Sequence, residues 1–305
     1  MDLVATFCFV LLLLALGRVL RWRGLVPEGA PDALNAVALY VCLPAAILLY
    51  APKLHVSMDL LGVIAVPWLL LVASLALVFG VARFKPIDRA DRAVLLLQIP
   101  LGNTSFLGYS LIPALAGAEA LRFAVIYDQL GSFVMLSSYG LAVISAHSGG
   151  TRPTAGTVVR RMLSFPPFVT LVIALTVIPA NLPAPIESML KPLSVALLPM
   201  VGLAIGMQLK LALPRHQLAP LAMGLVGKLL VLPLLALGLC FAFGIEGDAR
   251  LAVVLESAMP SMITSAALAA MAGLAPELAA ALVGYGIVVS MVTLPFWRWI
   301  LLHTA

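Results

Sequence analysis

Three charged residues lie where an apolar chain least tolerates them: Asp128, Lys228 and Glu256 each interrupt a long hydrophobic run. A charge at the centre of a bilayer costs at least about 2.5–3.5 kcal/mol on insertion scales, so such residues usually serve an ion or solute path. Asp128, with Gln129 beside it, and Glu256, one turn before Pro260, can accept protons or line that path. Lys228 can neutralise either carboxylate or contact an anion. These three are the residues expected to couple protons or charge, and Asp128→Asn is expected to alter the pH dependence.

Pro100 and Pro260 form a second set. Gly102, Asn103, Thr104 and Ser105 follow the first; Ser261, Thr264 and Ser265 follow the second. Proline removes a backbone donor and clashes with the preceding turn. The freed carbonyls, and the amide ends of the next half-helix, then need partners in protein, water or ligand. The bland alternative is a pair of kinks whose hydroxyls bond back to their own helices. Two breaks at corresponding places in two halves instead point to a transport site. Opened half-helix N-termini carry partial positive charge and favour an anion such as a carboxylate. The expected solute-binding residues are Pro100, Asn103, Thr104, Ser105, Gln129, Pro260, Ser261, Thr264 and Ser265.

These residues need a membrane to hold them. The 305-residue chain is 63% hydrophobic and 10% charged, against roughly 45–50% and about 25% in soluble domains. About 20 residues cross the ~30 Å hydrocarbon layer. On that ruler, spans are expected at 3–20, 32–50, 59–82, 93–116, 120–146, 166–180, 187–209, 217–244, 249–273 and 277–302. The span at 166–180 is the shortest, because Pro179, Pro183 and Pro185 break the pattern after it; without it the count is nine. The N-terminal run to Leu20 lacks the positive n-region of a cleavable signal and is expected to stay as a membrane helix.

Charge placement orients the spans. Of the 18 Lys and Arg residues, twelve fall in odd-numbered connectors: Arg18, Arg21, Arg23, Arg83, Lys85, Arg89, Arg92, Arg152, Arg160, Arg161, Lys210 and Arg215. Cytoplasmic loops hold such an excess. Both termini are therefore expected outside the cytoplasm of a multi-pass protein of the cytoplasmic (inner) membrane. Five spans per half enter in opposite senses, and features recur in order: Leu43-Pro44 with Leu198-Pro199, Phe79-Gly80 with Phe243-Gly244, Ile99-Pro100 with Met259-Pro260, and Ala116-Gly117 with Ala272-Gly273. The expected fold is an all-α polytopic membrane protein of ten transmembrane helices, two inverted five-helix repeats with two proline-broken crossovers. Its parts are a first repeat at 1–147, a cytoplasmic connector at 148–165 and a second, inverted repeat at 166–305.

Other chemistries find little support. The basic residues form no aromatic-interleaved stripe of the kind that binds nucleic acid. Cys8, Cys42 and Cys240 lie singly in apolar spans and are expected to be core-packing thiols. No zinc helix or phosphate loop is present, so neither metal nor cofactor is expected. Tyr127-Asp128 mimics one motif of intramembrane aspartyl proteases, but the Gly-x-Gly-Asp partner is missing, and an enzyme remains the alternative of another class.

At these residues the chain resembles the auxin efflux carrier family, the bacterial relatives of the plant PIN carriers, over nearly its full length. The resemblance rests on Leu34-Asn35 through Leu43-Pro44-Ala45, on Pro100 through Gly108, on Tyr127-Asp128, on Glu256 through Pro260, and on Thr293-Leu294-Pro295. It departs at Tyr109-Ser110, where the family often has a proline, and at Ile263-Thr264, where it often has an asparagine. The likeness implies a scaffold of helices 1, 2, 6 and 7, a moving part of helices 3–5 and 8–10, and elevator-type efflux of a small organic anion, with a homodimer as an allowed assembly. The alternative within transport is a sodium-coupled symporter of the bile-acid type.

Overall fold

The computed structural model describes residues 3–53, 58–148, 154–208 and 215–304, and the observations below concern those residues. Arg152 and Lys210, used above for orientation, lie outside them, as do the side chains of Lys53, Arg161 and Arg215. The regular structure is helical, in the order α1 (Leu3–Trp22), α2 (Ala30–Tyr50), α3 (Met58–Phe84), α4 (Arg89–Gln98), α5 (Thr104–Leu115), α6 (Ala118–Ser148), α7 (Ala155–Leu163), α8 (Pro166–Thr176), α9 (Ala184–Gln208), α10 (Leu218–Phe243), α11 (Gly247–Ser257), α12 (Ile263–Met271) and α13 (Pro276–His303).

Six of these helices, α2, α3, α6, α9, α10 and α13, are long and apolar enough to cross a bilayer, and α5 and α8 are shorter apolar helices. Helices satisfy their backbone groups internally, which a lipid environment demands. Large apolar side chains such as Leu12, Val72, Phe84, Leu234 and Val292 stay more than half exposed. The chain is thus an all-α polytopic membrane protein whose outer face suits lipid. Cys8 belongs to that exposed face and departs from the core expectation, whereas Cys42 and Cys240 are buried.

Prolines and glycines set the irregularities. Widened turns, each skipping one regular backbone bond, occupy Ala38–Cys42, Thr104–Gly108, Tyr127–Ser132, Leu136–Gly140 and Gly227–Val231. The first lies just ahead of Pro44 and the last just ahead of Pro233; such turns bend a helix and re-aim its side chains. Gly117 and Gly273, with φ of 95° and 71°, end α5 and α12 in turns that a side chain would strain. Gly244 ends α10 similarly, but Gly80 does not match it. Nothing after Gly80 stops the apolar helix before Phe84, so α3 runs on. Two further boundaries differ from expectation: α8 stops at Thr176, ahead of Pro179, and α7 forms inside the 148–165 connector.

The helices pack in two groups. α1 lies along the C-terminal half of α9, and α2 lies against α8 and α9. Gly17 and Gly206 let the α1 and α9 backbones touch; a Cβ on Gly206 would collide with the Leu14 carbonyl, and one on Gly17 with the Leu203 carbonyl. Small residues at the contact are what lipid-embedded helices use, since lipid tails give no hydrophobic drive. In the second group α3 packs on α10, α11 on α10 and the start of α6, and α12 on α4 and α13.

Candidate functional site at the crossing of two interrupted helices

α4 ends at Gln98 and α5 begins at Thr104; α11 ends at Ser257 and α12 begins at Ile263. Pro100 and Pro260 fall in these gaps, and both are buried. The gaps cross. Gly102 pairs with Ser261 in an antiparallel bridge, the Asn103 amide donates to the Pro260 carbonyl at 2.7 Å, and the Met262 amide donates to the Leu101 carbonyl at 3.0 Å. The Ser261 hydroxyl donates to the Gln98 carbonyl at 3.0 Å. A bare backbone group here would cost several kcal/mol, so each interruption supplies what the other lacks.

A cavity of about 260 Å³ opens beside the crossing, lined by Asn103, Ser105 and Phe106 from the first interruption and Met262 and Thr264 from the second. Leu39, Phe133, Leu136, Ser164 and Phe165 complete its wall. Phe165 stacks on Phe133 at 4.0 Å between ring centroids. Asn103 stands at the N-cap of α5 without capping it, 1% exposed, and its side-chain Nδ2 has no partner. The first turns of α5 and α12 both begin at this place, which concentrates free amides and partial positive charge around it. A larger vestibule of about 440 Å³ lies on the other face of α12, between α1, α2, α9 and α13, with Arg18, Arg21, Glu28 and Asp32 on its wall. The smaller cavity has a largely apolar wall but touches both interruptions, at Asn103 and Ser105 and at Met262 and Thr264, which makes it the candidate binding site.

Behind the cavity lies a buried polar cluster. The Asp128 carboxylate accepts hydrogen bonds from Thr104, from Ser105 at 2.7 and 2.8 Å, from the Tyr109 hydroxyl at 2.8 Å and from Gln129 Nε2 at 2.7 Å. Charged acceptors make hydrogen bonds roughly twice as strong as neutral ones. Two widened turns produce this convergence, one carrying Asp128 and Gln129, the other Thr104 and Ser105. Lys228, on a third widened turn, donates to the Ser257 carbonyl at 3.1 Å. Both carboxylate oxygens of Glu256 are buried without a hydrogen-bond partner. A Cβ on Gly102 would lie 2.9 Å from Lys228 Nζ, and one on Gly108 would fall inside the Glu256 carboxylate.

Of the residues singled out in the sequence, Asn103, Ser105 and Thr264 line the cavity. Thr104 and Gln129 belong to the Asp128 cluster, and Ser261 ties the crossing together. Ser265 bonds back to the Met262 carbonyl of its own helix at 2.9 Å. Pro260 lies against Gly286 of α13. Tyr109 and Gln98 join the site without having been singled out. Gln98, fully buried with both side-chain polar atoms unpaired, was visible as a lone amide in an apolar run. Phe165 had no sequence signal, because it sits in a connector. Among the described residues no group of three or more His, Cys, Asp or Glu could hold a metal ion.

Residues 2–298 match the family described as membrane transport protein. An uncharacterized transporter of Methanothermobacter thermautotrophicus is 29% identical over 304 residues, covering 99% of each chain. An uncharacterized transporter of Methanocaldococcus jannaschii is 26% identical over 318 residues, again covering 99% of each chain.

Proposed function

The chain belongs to the membrane transport protein family that includes the auxin efflux carriers, and on that premise we propose that it is a secondary active transporter exporting a small organic anion, such as a carboxylate, by an elevator-type movement. The observation that carries this reading is the buried, unpartnered Asn103 amide, on a residue that lines a cavity beside two crossing helix breaks. One carboxylate fits there in chemistry: Asn103 Nδ2 donates to it, the Ser105 and Thr264 hydroxyls flank it, and the α5 and α12 N-termini offset its charge. α3–α6 and α10–α13 form the moving unit; α1, α2, α8 and α9 form the scaffold that holds Leu39 and the neighbouring wall. The two packing groups support that division.

In this reading α4 with α5, and α11 with α12, each make one broken crossing, giving ten crossings in two inverted repeats with both termini outside the cytoplasm. The transporter relatives favour transport over an intramembrane enzyme. A thermal-shift screen of purified protein against small carboxylates tests the proposal, since a ligand bound only by the folded state raises Tm. Stabilisation by carboxylates in the wild type, lost in Asn103→Ala, is the expected result. Uptake into proteoliposomes that requires sodium would favour the bile-acid type of symporter instead.

A further inference from the structure

We propose that Glu256 is the residue that takes up and releases the coupling proton, with Lys228 as the partner its carboxylate adopts when the proton leaves. This rests on the transport reading above and assigns its energy source.

Three ionisable side chains are buried in one cluster: Asp128 and Glu256 are 0% exposed and Lys228 is 2% exposed. With all three ionised, the cluster holds one uncompensated negative charge, and burying a charge without full compensation costs several kcal/mol. One added proton makes it neutral, and the geometry selects the site. Asp128 has four side chains donating to it, so a charge on it is compensated by hydrogen bonds. Lys228 spends a donor on the Ser257 carbonyl, as an ammonium can. Glu256 receives no donor at either oxygen. In this conformation the proton resides on Glu256.

The surroundings also say what happens when it leaves. Among the described residues, the charged groups acting on Glu256 are Asp128 from α6 and Lys228 from α10; the Tyr109 and Tyr127 phenols, from α5 and α6, lie within its electrostatic reach. Lys228 is the one cation among them. Its anchor is the carbonyl of Ser257, the residue after Glu256, and Gly102 lies against both Lys228 Nζ and the Glu256 backbone carbonyl, so release of that bond frees the ammonium to turn toward the carboxylate. The balance is simple: the Glu256 acid O–H breaks, water reaching the site from the side of lower proton activity accepts the proton, and the carboxylate gains the Lys228 ammonium as it leaves the Ser257 carbonyl. A metal cation suits this place poorly, because Gly108 closes on the carboxylate. The event is felt at the cavity through α5. Gly108 lies on the same widened turn as Thr104 and Ser105, and Ser105 belongs both to the Asp128 cluster and to the cavity wall.

The test combines two readouts on purified, reconstituted protein. Infrared difference spectroscopy across a pH titration follows the carbonyl band of a buried protonated carboxylic acid and needs no substrate. Proteoliposomes then compare carboxylate movement driven by a pH gradient with exchange of labelled for unlabelled carboxylate without a gradient. The proposal expects the acid band in the wild type, its loss in Glu256→Gln, and in that variant loss of gradient-driven movement with exchange retained. An acid band that survives Glu256→Gln overturns the proposal, as does gradient-driven movement that survives it. Glu256→Asp, which keeps the acid one methylene shorter, shifts the pH at which the band titrates; an unshifted band also overturns it. A wild type that shows the Glu256 band but moves no carboxylate defeats the transport reading and leaves the proton site standing.

Discussion

The backbone amide of Asn103 donates to the carbonyl of Pro260 at 2.7 Å, so the residue that borders the cavity from one half of the chain is positioned by the proline of the other half. The proposed solute site and the crossing are therefore one object. A substitution at the crossing acts on binding through the backbone, while a substitution of the Asn103 side chain acts on the solute alone.

Asn103→Ala removes the free donor without touching that backbone bond. A hydrogen bond to a charged group contributes about 1.5–3 kcal/mol, so carboxylate affinity is expected to fall about tenfold to a hundredfold. The ligand-free melting temperature should stay at the wild-type value, because the side chain makes no partnered contact in the folded protein. Calorimetric titration and a melting curve on the same preparation check both halves.

Asp128→Asn behaves differently. It places an amide donor among side chains that already donate, and it removes the charge four of them share. Stability is expected to fall by at least about 2 kcal/mol, read as a lower Tm in detergent. Because the Asp128 charge also acts on Glu256, the pH profile of transport in whatever folded fraction remains should shift away from its wild-type midpoint.

Gly108→Ala inserts a methyl where the Glu256 carboxylate sits. Overpacking of this kind costs about 1–3 kcal/mol. Combined with Glu256→Ala, which empties the space, the loss should be less than the sum of the two single losses by about 0.5–3 kcal/mol. Additive losses would mean that the two residues do not share that volume.

Phe165→Ala opens the cavity wall by removing the ring stacked on Phe133. Bulkier carboxylates should then stabilise the protein in the thermal-shift screen, while the smallest ones lose affinity. An unchanged ligand size preference would show that the stack does not bound the site.

Gly206→Val drives a branched side chain into the Leu14 carbonyl at the contact of α1 with α9. No rotamer relieves a clash with backbone, so α1 must separate from α9 and the purified protein is expected to aggregate or elute as a broadened species on size exclusion.

The sequence by itself determined the membrane class, because apolar runs of bilayer length and a scarcity of charge leave a chain no aqueous fold. It also located the two interruptions, since Pro100 and Pro260 are each followed closely by small polar residues, whereas Pro67, Pro113, Pro192 and Pro295 stay inside helices. It marked Asp128, Lys228 and Glu256 as costly and therefore purposeful. What it left open was how these groups meet. Gln129 read as a solute ligand from its position and turned up behind the cavity, because a widened turn rotates it toward Tyr109 and Asp128. Gly80, which pairs with Gly244 in the recurring pattern, stays helical where Gly244 ends its helix, because what stops a helix is the residues after it. The antiparallel pairing of Gly102 with Ser261, the four donors on Asp128 and the isolation of Glu256 were decided by tertiary structure alone. Hydrogen bonds between groups far apart in the chain depend on where packing and local backbone turns carry them, and residue spacing holds no record of that.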